Sequence, residues 1–355
     1  MGITYKKPVP TPEQIREEYK VPQHVKELKA KRDQEIKDVI AGKDDRFLVI
    51  IGPCSADRED SVLDYLTRLA KVNEKVSDEL IIIPRVYTNK PRTTGEGYKG
   101  MVHQPDPEQA PDLLGGLKAI RELHIKAADV SGMTCADEML YPENFMYLDD
   151  ILSYVAVGAR SVENQQHRLV VSGMDIAAGM KNPTSGGLGV MLNSVLAGQI
   201  PQEFLYRQYE VHTDGNPYAH CILRGAVNKY GASFPNYYYE DLLMLSQLYA
   251  KRELQNPAAV VDANHANSNK KFKEQIRIVH DILNSRKLNG DINKLVKGVM
   301  IESYIEEGNQ PVGGGCYGKS ITDPCLGWDD TERLLLEIAA VSYTHLRAHE
   351  TRGNL

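Results

Sequence analysis

The sequence predicts an α/β protein whose parallel strands close into a (β/α)8 TIM barrel, with an N-terminal extension and an inserted β-hairpin. Three observations carry that expectation. From Phe47 onward eight short apolar runs alternate with longer stretches of helical period. A chain of 355 residues accommodates one barrel of roughly 250 residues plus extensions. The apolar runs also keep ending on side chains that hold anions or metals, as strands do when their C-terminal ends share one mouth. An open, doubly wound sheet is the rival arrangement.

Residues 1–46 read as an N-terminal extension. Pro8, Pro10 and Pro12 mark an extended arm, and Val25, Leu28, Ile36, Val39 and Ile40 follow near helical spacing, with Gly42 as the stop. Such a segment serves packing or subunit contact. The catalytic barrel spans 47–341, with strands expected at Phe47–Ile51, Leu80–Val86, Thr134–Glu138, Val155–Arg160, Asp175–Lys181, Ala219–Arg224, Ala258–Asp262 and Gly298–Glu302. Helical stretches lie between them at Ser61–Val76, Pro111–Ala127, Pro142–Leu152, Leu188–Ala197, Tyr239–Arg252 and Phe272–Ser285. The interval 204–218 breaks the rhythm: Leu205, Tyr206, Tyr209 and Val211 precede Asp214-Gly215-Asn216-Pro217, which reads as an inserted hairpin or bent ribbon. After an amphipathic stretch to Val341, residues 342–355 lose the apolar period and resemble translated sequencing-adapter read-through more than a folded segment.

Composition narrows the function classes. Hydrophobic residues make up 42% and charged residues 25%, the profile of a soluble globular protein. No apolar run approaches the ~20 residues of a membrane span, and no signal segment follows the N-terminal lysines, so a cytoplasmic protein with no membrane partner is expected. A net charge of −6 without a long basic face argues against nucleic acid. Five widely spaced cysteines form neither a disulfide framework nor a paired zinc motif.

The strand ends carry the chemistry. Cys54 follows the first run, Arg85 closes the second, Glu138 the third, Arg160 the fourth, Lys181 the fifth and Arg224 the sixth; His265 follows the seventh and Glu302 ends the eighth. Cys54, His265 and Glu302, with Asp323 from a later loop, offer one soft, one intermediate and two hard ligands, enough for a divalent metal with a position left for substrate. Arg85, Lys90, Arg92, Arg160, Lys181 and Arg224 would repel one another at one mouth unless a multiply charged anion joined them, which points to substrates with phosphates and a carboxylate. The glycine-rich segments 95–100 and 185–190 match no complete nucleotide fingerprint and read as loops.

Seven ordered motifs then resemble one family: IGPCS (51–55), KPRTT (90–94), GAR (158–160), KNPTSG (181–186), ILRG (222–225), DANHANS (262–268) and GKSITDPCLGW (318–328). They are similar to class I 3-deoxy-7-phosphoheptulonate (DAHP) synthases of the phenylalanine/tyrosine-sensitive type. The resemblance implies a metal-dependent barrel transferase that condenses phosphoenolpyruvate with erythrose 4-phosphate and water, the first step of the shikimate pathway to aromatic amino acids. It implies Cys54, His265, Glu302 and Asp323 as ligands of a divalent Mn, Fe, Co or Zn ion. Arg85, Lys90, Arg160, Lys181 and Arg224 would bind phosphoenolpyruvate, and Arg92, Thr93 and Thr94 the phosphate of erythrose 4-phosphate. Glu138 is expected to position or deprotonate the attacking water and Lys181 to donate a proton. The family further implies an aromatic amino acid inhibitor and a homodimer or homotetramer. Rival readings are a synthase that uses arabinose 5-phosphate, a metal-dependent sugar-phosphate aldolase, and a non-catalytic effector-binding relative.

Overall fold

The computed structural model describes residues 2–92 and 94–352, with backbone alone from residue 343. Eight parallel strands form one sheet: β1 (Phe47–Gly52), β2 (Leu80–Pro84), β3 (Ala136–Glu138), β4 (Tyr154–Val157), β5 (Ala177–Lys181), β6 (Ala219–Leu223), β7 (Ala259–Asp262) and β8 (Val296–Glu302). Their spatial order is β2-β1-β8-β7-β6-β5-β4-β3. The remaining gap, between β2 and β3, is joined by a single parallel bridge, Arg85 with Ala136, in which Val86 N–H donates to the Ala136 carbonyl at 3.0 Å. The sheet is thus a barrel with one thin seam, not the open doubly wound alternative.

The period of two along each strand sorts the core. Leu48, Ile50, Ile81, Ile83, Tyr154, Ala156, Ile222, Val260 and Met300 pack together inside, while Val49, Ile51, Ile82, Val155, Val157, Val261 and Val299 join the larger core beneath the helices. Ile36, Val39 and Ile40 of the helix Gln23–Ile40 belong to the inner cluster, so the extension plugs the barrel with apolar side chains. Each such isoleucine contributes roughly 1.5–3 kcal/mol by burial. Gly179 of β5 makes room inside: a Cβ there would lie 2.4 Å from the Tyr154 hydroxyl, which instead crosses to His220.

The inserted ribbon is an antiparallel hairpin, Gln202–Tyr206 with Tyr209–Thr213. Its turn falls at Arg207 and Gln208, both at positive φ (51° and 68°), which is the type I′ geometry that matches strand twist. The Asp214–Pro217 run is the return to β6. Of the expected helix at 142–152 only Pro142–Phe145 is α-helical, because Tyr147 and Leu148 bond back three residues and tighten the chain into turns. Two further small pairings were not apparent in the sequence: Ala226–Val227 with Ser233–Phe234, and Glu306–Asn309 with Lys319–Ser320. The last helix, Trp328–Arg352, continues through the tail that begins at Ser342. Among the described residues, no helix is long and apolar enough to cross a membrane.

Candidate active site

Four segments bring the acidic half of the mouth together. Cys54 sits in the turn after β1, and Glu302 ends β8, its neighbour in the sheet. Asp323 arrives on the loop after β8, which is tied back where Tyr304 N–H donates to the Leu326 carbonyl at 2.8 Å. One ligand atom from each of Cys54, Glu302 and Asp323 lies within 4.8 Å of the others. His265 stands at their edge, its Nε2 3.9 Å from Glu302 Oε1. Its Nδ1 pairs with Asp262 Oδ2 at 2.7 Å, which fixes the ring and turns Nε2 toward the acids. The His265 backbone is left-handed (φ 49°), a conformation that costs a histidine of order 1 kcal/mol or more and persists where the surroundings over-determine it.

Glu302 is fully buried, yet its carboxylate has two firm partners. Arg85 Nη2 donates to Oε1 at 2.7 Å and Asn264 Nδ2 to Oε2 at 2.5 Å. Burial by itself would raise the Glu302 pKa, but Arg85, His265 and Lys90 outweigh it and hold the group below the usual carboxylate range. Asp323 behaves alike: burial opposes ionisation, and Lys90 and Lys270 more than offset it. Burial and the charge of Glu302 push the Cys54 thiol up, while Lys90, with Nζ 2.6 Å from Sγ, pulls it back. One soft and two hard donors beside an oriented imidazole form a set that fits a borderline divalent cation, which would take Cys54 as its thiolate.

The basic half faces this cluster from β4, β5 and β6. Lys181 is buried at the end of β5, its Nζ 3.6 Å from Asp262 Oδ2. Arg224 follows β6, and its Nη1 is buried with no hydrogen-bond partner. Burial lowers the Arg224 pKa, and the like charge of Arg160 lowers it further against the pull of Asp262. Arg160 itself is exposed on the loop after β4. Glu138 ends β3, and Gly158 leaves room for it, since a Cβ at 158 would fall 2.3 Å from Oε1. Arg85 does not stand among these cations. Its guanidinium lies beneath the mouth, with Nε and Nη2 bonded to the carbonyls of Pro53 and Cys54 and stacked 3.9 Å from the Tyr87 ring centre.

Lys90 and Arg92 lie on the loop between β2 and the helix Leu113–Ser131. Lys90 points toward Cys54 and Asp323, whereas Arg92 Nε donates to the Tyr98 carbonyl at 2.7 Å within its own loop. Thr94 is exposed, and Thr93 lies outside the described residues.

The model of the DAHP synthetase I family matches residues 20–336. The chain belongs to that family. Phospho-2-dehydro-3-deoxyheptonate aldolase of Haemophilus influenzae is 39% identical over 331 residues, covering 91% of this chain and 88% of that protein. The Tyr-sensitive enzyme of Escherichia coli is 35% identical over 345 residues (95% and 94% covered), and the Phe-sensitive one 39% over 313 (86% of each). A solved phospho-2-dehydro-3-deoxyheptonate aldolase from Francisella tularensis superposes with a TM-score of 0.89 at 31% identity, covering 96% of this chain and 99% of that one. This DAHP synthetase I chain is therefore a metal-site-bearing barrel transferase of the shikimate pathway.

Asp262 is the residue that the strand-end reading passed over. It closes β7, orients His265 and faces Lys181, so one carboxylate joins the two halves of the mouth. Burial would raise its pKa, but His265, then Lys181 and Arg85, hold it well below the usual range. Asn264 and Gln275 were also missed; Gln275 grips Glu302 through both backbone groups, at 2.9 and 2.8 Å. The rule that selected Arg85 and Glu302 would have found Asp262 had it been applied to the terminal residue of β7, not to the histidine three positions on.

Proposed function

We propose that the protein joins phosphoenolpyruvate to erythrose 4-phosphate, with water, to give 3-deoxy-D-arabino-heptulosonate 7-phosphate and phosphate. The observation that carries this reading is the division of one mouth into a cluster of Cys54, Glu302 and Asp323, with His265 at its edge, and a cationic side on which Arg224 keeps a buried nitrogen without a hydrogen-bond partner. Cys54, His265, Glu302 and Asp323 would hold the divalent ion, of the Mn, Fe, Co or Zn kind. Bound there, it supplies a Lewis acid for the aldehyde oxygen of the sugar phosphate.

The chain's own groups do the rest. Arg160, Lys181 and Arg224 grip the phosphate and carboxylate of phosphoenolpyruvate, with Arg85 and Lys90 beneath and beside them, and Arg92, Thr93 and Thr94 hold the sugar phosphate. Held face to face, C3 of the enol attacks the aldehyde carbon, which is an entropic gain from fixed orientation. Lys181 gives a proton to the new alkoxide. Water adds to C2, left electron-poor when C3 gave up the double-bond pair, on the side of Glu138, which accepts its proton; the C2–O bond to phosphate then breaks as the new C2 hydroxyl becomes the ketone and its proton leaves with the phosphate.

Sensitivity to phenylalanine or tyrosine is part of the same proposal, supported by the Tyr- and Phe-sensitive names of the E. coli relatives, and a dimeric or tetrameric assembly is proposed with it from the family resemblance alone. The test is a phosphate-release assay with both substrates on protein stripped by chelation and then reloaded with manganese. Activity lost on stripping and restored on reloading, for erythrose 4-phosphate over arabinose 5-phosphate, is the expected result; full turnover by stripped protein sinks the ligand assignment.

A further inference from the structure

The seam between β2 and β3 is where the barrel has fewest backbone bonds, and a side chain takes their place. After the Arg85–Ala136 bridge, Thr88 N–H does not continue the ladder but donates to Asp137 Oδ1 at 2.9 Å. The same oxygen accepts Glu138 N–H at 2.7 Å. Oδ2 accepts the Thr88 hydroxyl in a short bond and faces His124 Nε2 at 3.3 Å. His124 comes from the helix Leu113–Ser131, and its Nδ1 has no partner, so Nε2 is the nitrogen that carries the proton to the carboxylate. Asp137 and His124 are 2% and 1% exposed. A buried carboxylate with donors on both oxygens is a rigid joint, because losing any one leaves a desolvated polar group.

What the joint connects is specific. Thr88 is the root of the loop that carries Lys90 and Arg92. The loop's limbs cross there: Val102 N–H donates to the Thr88 carbonyl at 3.2 Å and Lys90 N–H to the Lys99 carbonyl at 3.0 Å. Gly100, at φ 96°, permits the crossing, since a Cβ would lie 2.4 Å from the Thr88 oxygen. On the other side, the residue after Asp137 is Glu138. We infer that Asp137, steadied by His124, is a positioning residue that sets the sugar-phosphate loop and Glu138 at a fixed separation across the seam.

This inference rests on the reading above that the loop binds erythrose 4-phosphate. The variants are Thr88→Val, which keeps the branched shape and removes only the hydroxyl, Asp137→Asn, and Arg92→Ala as the control for that reading. Manganese-loaded enzymes are compared by steady-state kinetics on each substrate and by thermal melting. Thr88→Val is expected to raise KM for erythrose 4-phosphate about tenfold, a modest loss for a displaced loop group, with KM for phosphoenolpyruvate unchanged and the melting temperature lowered by no more than the loss of one buried hydrogen bond. Asp137→Asn, which also disturbs the Glu138 amide, is expected to lower kcat besides. If both KM values rise together, or neither moves in Thr88→Val while Arg92→Ala raises that for erythrose 4-phosphate, the joint is merely structural and the inference falls alone. If Arg92→Ala leaves KM for erythrose 4-phosphate untouched, the loop assignment falls and takes the inference with it.

Discussion

On the acidic side of the mouth each carboxylate meets a cation of the chain: Glu302 meets Arg85, Asp323 meets Lys270, and Asp262 meets Lys181. On the basic side Arg224 carries a buried nitrogen with no partner, near a like-charged Arg160. The first arrangement is satisfied within the protein, and the second leaves one buried Arg224 nitrogen unpaired. Stability and function should therefore separate between the two sides, since a buried ion pair broken from one end is costly whereas an uncompensated cation is retained against stability.

The largest effect belongs to Glu302→Ala. It strands the Arg85 guanidinium, 1% exposed, so the melt should fall by the equivalent of about 3–5 kcal/mol even with no metal present. A fall seen only in the metal-loaded protein would mean that the acidic cluster is held by its ion and not by the chain, erasing the distinction.

Arg224→Met is the converse. Removing an unsatisfied nitrogen should leave the melting temperature unchanged or raise it, while KM for phosphoenolpyruvate rises by the equivalent of roughly 1.5–3 kcal/mol, one charge-assisted hydrogen-bonding group. A clear loss of stability here would show that Asp262 and Glu138 already satisfy this arginine, and the two sides would then be alike.

Much of this was legible from residue order because barrel topology turns strand ends into neighbours. All eight strands, and the meeting of Cys54 with Glu302, follow from where apolar runs stop, whereas Asp323 joins them from a later loop. Partner choice did not follow. Arg85 follows β2 and Lys181 ends β5, yet one lies under Glu302 and the other against Asp262, each acid standing two strands away in the sheet, not on the adjacent strand. Turn chemistry hid the hairpin's true corner, because Arg207 and Gln208 adopt left-handed backbone without the glycine that usually announces it. Asp137, overshadowed by Glu138, has no pattern of its own; only the thin seam gives it a task.

The smallest expected effect concerns a group under the floor that has no countercharge at all. His220 is fully buried, accepts the Tyr154 hydroxyl at Nε2 (2.7 Å) and donates from Nδ1 to the Tyr218 carbonyl (2.9 Å). Burial holds its pKa at about 4, below the ordinary histidine value of 6.5, with the Tyr218 bond opposing only in part. Between those values the unfolded chain takes up a proton that the folded one refuses, so the neutral ring's contribution is complete above the upper value and declines as pH falls toward the lower. Going from roughly pH 7 to pH 5.5 this group should cost about 1 kcal/mol of stability. His220→Gln keeps a polar partner for Tyr154 without a titrating ring, and urea melts should show a shallower acid limb by that amount. An identical limb in both proteins would mean that a buried cation is tolerated here without an anion, contrary to what the paired carboxylates above it imply.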